Sequence, residues 1–439
     1  MVRMRISAAL LLVATVTGGA CSRTADATSW ALLNASVVDV IGGRVAVGQT
    51  VLVRGDRIVS IGSREETVVP RSVRQVDVAG AFIVPGLFDM HTHLFGVDKK
   101  RQPPIERYLA NGVVGIRDLG SPIDAISVLS KSQARRPAIW FAGPIVNGPT
   151  APEFWLNRTV ASEGQAREAV AAIFAHGAQF VKVHDWLSRP AYLAIVENAR
   201  QHHLPVVGHV PAAISMDEAR EVGQQSVEHL GGLTHAVLRT CSHGPPATQQ
   251  ELMRRARQPD KGPAYQYAMS SAFLTPLLDT FDEKACTALA ERLARDEIWQ
   301  TPNLVLWRDW ANEPSRAAED WVARQRLLDA ARRIVRIMYE SGVPLLAGSD
   351  EIGNIHDELA LLTDAGLPPV AALRSATVSA AAFLGVADSY GVVKAGRVAT
   401  FLVVDGDPLV DIRNLRRIRS VVLRGEQFDK ATIAKWSAQ

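Results

Sequence analysis

Cysteine is scarce: the chain has 439 residues and three cysteines, Cys21, Cys241 and Cys286. That is too few for a disulfide framework, and the spacing is not that of a metal knuckle, so any metal must be held by other ligands. Charge of one sign is also missing. The 48 Lys+Arg stand against 45 Asp+Glu, leaving +3, and no basic run concentrates it, so charge implies no nucleic-acid or anionic-membrane partner. No apolar run is long enough to span a bilayer. What is present is 47% hydrophobic and 21% charged residues, an ordinary globular composition with enough apolar side chains to bury a large core.

The first residues read as an address. Arg3 and Arg5 precede the short apolar stretch from Ile6 to Val16, followed by Gly18-Gly19-Ala20-Cys21. This is the charge, apolar core and small-residue site of a secretory signal over residues 1–21. Two readings stand. In one the signal is that of a lipoprotein and Cys21 carries a lipid anchor, although Gly18 departs from the large aliphatic residue usual there. In the other the chain is simply secreted. Both export it, to the periplasm or, as a lipoprotein, to the outer membrane or cell surface. Cys241 and Cys286 would then sit in an oxidising compartment, where they either pair or remain buried thiols.

Residues 30–82 carry short β-branched runs, Ala31–Val38, Val51–Val53 and Arg57–Gly62, with a turn at Arg54-Gly55-Asp56. Residues 389–439 repeat the pattern with Ala399–Val404 and Ser420–Leu423, so the two ends are expected to build one small β-sandwich domain. Between them, over 83–388, apolar strands alternate with helical stretches. The strands are read at Phe82–Met90, Val113–Asp118, Ala138–Ala142, Phe180–His184, Val206–Val210, Ser226–His229, Ile298–Leu306 and Pro344–Asp350. Helices fit at Gly164–His176, Pro190–Gln201, Asp217–Gln224, Glu283–Asp296 and Ala317–Ser341. Eight βα units predict an α/β fold of the (β/α)8 TIM-barrel type. The segment His235–Phe281 reads as a long loop inserted near the mouth of such a barrel.

The chemistry concentrates at the strand ends. In Phe88-Asp89-Met90-His91-Thr92-His93, alternation sets Asp89, His91 and His93 on one face. A His-x-His pair alone is a weak metal signal. It gains weight because His209, His229 and Asp350 also close predicted strands, at the face where barrel enzymes keep their catalysts. Lys182 interrupts an otherwise apolar strand. As an ammonium it cannot bind a cation and would need a salt bridge, to Asp89 or Asp350; carbamylated by CO2, it becomes an anion able to bridge two metals.

Together His91-Thr92-His93, Lys182, His209, His229 and Asp350 resemble the amidohydrolase superfamily, in its imidazolonepropionase- and prolidase-like branch. The resemblance extends over nearly the whole mature chain, from Gly80–Asp89 through His356-Asp357-Glu358-Leu359 and Ser375-Ala376-Thr377 to Gly396–Ala399 and Asp405–Pro408. It implies two divalent metal ions. His91, His93 and Asp350 would hold one, His209 and His229 the other, with carbamylated Lys182 and a hydroxide between them. These ligands suit zinc and do not separate it from manganese, cobalt or iron. It implies a metal-dependent hydrolase of amide bonds in peptides or N-acyl amino acids, with Asp350 moving the proton.

Two departures bear on the substrate. His184 stands where many relatives carry tyrosine; it is expected either to stabilise a catalytic oxyanion or to orient its neighbours. Val210-Pro211 follows His209 where dipeptidase relatives carry a nearby tyrosine. Cyclic amides, lactones or xenobiotic amides and esters are therefore a second substrate class, and a metal-binding surface lipoprotein without turnover is a third reading. For substrate binding, Arg117 is a candidate carboxylate clamp, weighed against an interior ion pair with Asp118 or another neighbour. Asn147 and Trp155 are candidate pocket residues, and His356 either meets substrate or helps cap a helix.

Overall fold

The structure is a computed structural model and describes residues 29–96, 104–125, 135–151, 154–257, 263–314, 317–350 and 354–438. The segment read as a signal, with Cys21, lies outside them. The chain starts with an antiparallel meander, β1 (Ser29–Asp39), β2 (Arg44–Arg54) and β3 (Arg57–Gly62). Its β-branched residues pack inward: Val37, Val51, Val53 and Ile58 are buried in one cluster with Trp30 and Leu32. The strands β4 (Arg74–Asp77) and β5 (Phe82–Pro85) then pair with β1 in parallel.

Between Gly86 and Phe401 the strand pairing is parallel. One sheet holds β6 (Leu87–Thr92), β7 (Val113–Asp118) and β8 (Ala138–Phe141). A second holds β9 (Ile145–Asn147), β10 (Asn157–Thr159), β11 (Val181–Val183), β12 (Val206–Gly208), β13 (Ser226–Glu228) and β14 (Trp299–Thr301), in the order β10-β9-β11-β12-β13-β14. Single hydrogen bonds connect the two sheets. Gln179 N–H donates to the Phe141 carbonyl at 2.8 Å. Segment 344–350 bonds on both sides: Leu346 N–H to Gln300 O at 2.9 Å, and Met90 N–H to Ala347 O at 2.9 Å. The chain finally returns to the first sheet through β15 (Phe401–Val404), β16 (Ile418–Leu423) and β17 (Glu426–Asp429), β15 pairing with β5. Both chain ends therefore share one eight-stranded sheet, and the protein is a mixed α/β fold with parallel sheets.

The five expected helices appear at Glu163–Ala175, Arg189–Gln201, Met216–Glu221, Glu283–Arg295 and Ala318–Glu340. Ser162, Ser188, Ser215 and Asp282 cap the first four, each accepting a backbone N–H from the first turn.

Four expectations need correction. The strand read at Pro344–Asp350 is not a regular strand: the segment meets its neighbour at one isolated bridge, Leu345 with Gln300. The strand read at Phe82–Met90 is two strands in different sheets, separated at Gly86, where an added Cβ would lie 2.5 Å from Val114 Cγ2. The strand read at Ile298–Leu306 stops at Thr301, because Asn303 takes a left-handed backbone (φ 51°) and starts the helix Leu304–Asn312. The insertion read as a loop is largely helical, with helices at Ala236–Thr240, Pro246–Ala256, Pro263–Ala268 and Ser271–Asp279. Gly244-Pro245 separate the first two of these helices and Pro246 and Pro263 begin the second and third, while Leu252, Phe273, Leu274 and Leu277 bury the inner faces. A disulfide between Cys241 and Cys286 ties the insertion to the following helix.

Gly86 generates a prediction. Gly86→Val should force Val114 aside and destabilise the fold by about 1–3 kcal/mol, the usual cost of overpacking. Urea denaturation measures it, and an unchanged midpoint would contradict the close passage.

Candidate metal centre

The carboxylate of Asp350 gathers three imidazoles around one oxygen. Oδ1 lies 3.2 Å from His91 Nε2, 3.3 Å from His93 Nε2 and 3.9 Å from His229 Nε2, and it is buried without a hydrogen-bond donor. The ligand atoms of His91, His229 and Asp350 all fall within 4.8 Å of one another. Asp350 and His229 reach these positions through left-handed backbone, φ 61° and 53°, a conformation that costs a non-glycine residue on the order of 1 kcal/mol and clusters at functional sites. Beside them, Lys182 Nζ is 3.4 Å from His91 Nε2.

A second cluster adjoins the first. The His209 ring is 5.1 Å from that of His229 and 3.8 Å from that of His184, centroid to centroid. His184, Asp185 and His209 together offer ligand atoms within 4.8 Å. Asp185 Oδ2 sits 3.0 Å from His209 Nδ1 and 3.1 Å from His184 Nδ1. Asn147 joins here, its Nδ2 3.2 Å from His184 Nδ1 and its Oδ1 accepting the Gly148 and Trp186 N–H groups.

Burial and charge set the protonation of this group. Burial pulls His91 down to about 4 and His209 to about 3, with the Lys182 charge adding to the effect. Burial and the neighbouring His91 lower His229 as well. All three are neutral at physiological pH, the state a metal ligand needs. Burial alone would raise Asp350, but the imidazoles of His91, His229 and His93 turned toward it keep it ionised. Burial also lowers Lys182, to about 8.

No carboxylate oxygen comes within the 4 Å of an ion pair with Lys182 among the described residues. The salt bridge to Asp89 or Asp350 weighed for it is therefore not formed. Asp89 is bound elsewhere, to Ser349 Oγ at 2.5 Å and to the Ser349 N–H at 2.9 Å.

These donors fit divalent cations. Four imidazoles, a carboxylate and an amine converge, and the far nitrogens of His91 and His209 are held by carboxylates, Glu228 Oε2 at 3.0 Å and Asp185 Oδ2 at 3.0 Å. Such outer carboxylates fix the tautomer, leaving Nε2 as the coordinating atom.

A family model described as the amidohydrolase family matches residues 82–428. The chain belongs to the amidohydrolase family. It is thus a metal-dependent hydrolase acting on carbon–nitrogen bonds. A search of curated proteins finds no significant match. Among solved structures, this amidohydrolase is similar to a prolidase complexed with N-methylphosphonate-L-proline (20% identity, 92% of this chain and 100% of that one, TM-score 0.68). It is also similar to A. niger ochratoxinase (17%, 94% and 98%, TM-score 0.68) and to molinate hydrolase (18%, 92% and 95%, TM-score 0.67). At these identities the likeness is one of fold.

The remaining expected residues fall in different places. Of the two roles weighed for Arg117, its surroundings are those of an interior ion pair, with Glu228 rather than Asp118. It is fully buried, Nη2 donates to Glu228 Oε1 at 2.9 Å and to Thr301 Oγ1 at 3.0 Å, and Nη1 donates to Ser226 Oγ at 3.0 Å. A clamp for substrate would need those donors free. His356 lies within the helix Ile355–Asp364, where Asn354 holds the N-cap position, and its Nε2 meets the Asn111 carbonyl at 2.9 Å. It neither caps that helix nor joins the cluster. Trp155 is half-buried just before β10.

Sequence reasoning passed over Glu228 and Asp185. The available signal was an acidic residue directly beside a histidine at the end of an apolar strand, in Val227-Glu228-His229 and Val183-His184-Asp185.

Arg117→Met should leave Glu228 charged, buried and bound only by weaker partners, destabilising this amidohydrolase by about 3–5 kcal/mol. Adding Glu228→Gln should recover part of that loss. A double-mutant cycle by urea denaturation checks the coupling, and additive effects would contradict it.

Proposed function

We propose that this chain is an exported hydrolase with a two-metal centre that cleaves amide bonds in peptides or N-acyl amino acids, within the imidazolonepropionase- and prolidase-like branch. The observation that carries the reading is Lys182, 1% exposed, against His91 and without a carboxylate partner. An unpaired buried ammonium is costly. With its pKa lowered by burial, the free amine can add to CO2, forming an N–C bond and releasing a proton, and the resulting carbamate is the anion the imidazole cluster lacks. His91, His93 and Asp350 would then hold one ion, His209 and His229 the other, with Lys182 shared.

The fold reading that supports this is a (β/α)8 barrel over 83–388 with a β-sandwich domain from 30–82 and 389–439. Segment 344–350 would take the eighth strand's place without forming a regular strand; its hydrogen bonds to Gln300 and Met90 support that closure.

When bound, divalent cations supply Lewis acidity and lower the pKa of water toward neutrality. The chain's own residues do the rest. Asp350, held ionised, accepts a proton from the attacking water and returns it to the leaving nitrogen, the carboxylate oxygen that does not face the imidazoles being left for that role. His184 accepts at Nδ1 from the Asn147 amide, which sets the tautomer with the proton on Nε2, free to donate to the developing oxyanion. A substrate wider than a dipeptide is favoured by His184 and by Val210-Pro211, where tyrosines are absent. Cyclic amides, lactones and xenobiotic amides or esters form that second class, and one fold serving differently named neighbours is consistent with it. Export, with or without a lipid on Cys21, is supported by the Cys241–Cys286 disulfide, since such bonds persist in oxidising compartments.

Metal analysis combined with a panel of dipeptides and N-acyl amino acids tests the proposal. Lys182→Ala should lose most of its metal together with hydrolysis; metal near two ions per chain in that variant would remove the bridging role. Asp350→Asn should retain much of the metal and lose about 10²–10⁴-fold in turnover, the scale of general acid–base catalysis. Near-native turnover would contradict the proton role.

A further inference from the structure

The helical insertion encloses a cavity of about 270 Å³ that contains none of the residues of the metal centre. Arg239 lines it, on the helix Ala236–Thr240. Its guanidinium makes no hydrogen bond or ion pair to the described residues, and Nε is buried without a partner. Two further polar atoms of the lining are also buried and unmatched, Ser242 Oγ and Gln249 Oε1. Met216, Phe273 and Leu277 give the lining an apolar share.

Buried polar groups are normally satisfied, and each unmatched one costs about 1–3 kcal/mol, more when charged. Three among the residues lining one small cavity therefore describe the complement of a ligand. Arg239 and Ser242 call for an anionic acceptor; a carboxylate fits the planar guanidinium fork. Gln249 Oε1 calls for an N–H donor, its amide nitrogen being spent on the Ala212 carbonyl at 3.1 Å. The apolar share of the lining calls for an aliphatic or aromatic group. An N-acylated or peptide-linked apolar amino acid carries all three within a few bonds.

We propose that this cavity is a binding site for the free carboxylate of an N-acyl or peptidyl apolar amino acid, with Arg239 as its anchor. The placement favours communication with the centre. The helix bearing Arg239 begins at His235, close after Gly232, whose Cα packs so tightly on His209 that an added Cβ would lie 2.3 Å from its Nδ1. Burial depresses the Arg239 guanidinium to about 10 against an opposing pull from the Asp185 charge, and a bound carboxylate would offset that burial. The assignment rests on the cavity and not on the hydrolytic reading, so its test measures binding alone.

The probe is N-methanesulfonyl-L-leucine, which keeps the N–H, the carboxylate and the apolar side chain but has no scissile amide; its leucinol analogue lacks the carboxylate. Calorimetry on the metal-loaded protein should find one probe bound per chain, about tenfold or more tighter than the alcohol, the usual advantage of a hydrogen-bonded charge. Arg239→Gln should abolish that preference, whereas Arg254→Gln, at an exposed arginine paired with Glu251, should keep it. Repeating the titration with acetohydroxamate on the metals separates two sources of the ligand. Undiminished binding identifies a free-standing site for product or effector, while weakened binding that still depends on Arg239 identifies a substrate reaching from the centre into the cavity. Should Arg239→Gln not fold, the carboxylate-to-alcohol affinity ratio is read in Arg239→Lys and Ser242→Ala, where it should fall. Equal binding of acid and alcohol by the native protein, or a ratio unchanged by the Arg239 and Ser242 substitutions, overturns the proposal.

Discussion

The ion pair between Arg117 and Glu228 is the constraint on which the centre depends. Both side chains are fully buried, and burying either alone would cost several kcal/mol. Paired, they give His91 an anionic partner at Nδ1. Burial would raise the Glu228 carboxyl, but the Arg117 guanidinium and the His91 ring hold it well below its ordinary range. The chain of contacts runs from β7 through β13 to the end of β6, so three strands must be in register before His91 can face Asp350. Asp185 performs the same task for His209 and His184.

From these two supports the remaining chemistry follows. His91 and His209 are orientated by carboxylates behind them and kept neutral by burial. Positive charge is thus scarce where Asp350 and Lys182 meet the rings, and the environment favours cations over protons as the partners of the imidazole nitrogens. Left-handed backbone at His229 and Asp350 adds local strain, which the packed parallel strands around them hold in place.

Much of this was legible in the sequence because strand periodicity and polar interruptions carry strong signals. His91, His93, Lys182, His209, His229 and Asp350 each break or end an apolar run, and the structure brings them together. The two chain ends shared a sheet for the same reason, short alternating runs closed by turns. What escaped notice depends on partners distant in sequence. Arg117 could be read as a clamp or as half of an interior ion pair, because nothing local shows that its partner is Glu228, 111 residues on. Gly86 broke a strand that looks continuous, since the obstruction is Val114 in a neighbouring strand. The insertion read as a loop because its proline and glycine punctuation outweighed four short amphipathic segments. Arg239 stood in that insertion without a motif, and its isolation became visible only once the helices enclosed it.

The central claim is that the two histidine clusters form one two-metal centre bridged by Lys182. A crystal structure of the metal-loaded protein grown with bicarbonate, with anomalous scattering recorded at the metal edge, tests it most directly. The account predicts two anomalous peaks, one among His91, His93 and Asp350 and one between His209 and His229, with density for a carboxylated Lys182 between them. A single peak, or two peaks with an unmodified Lys182 turned away from both, would contradict it.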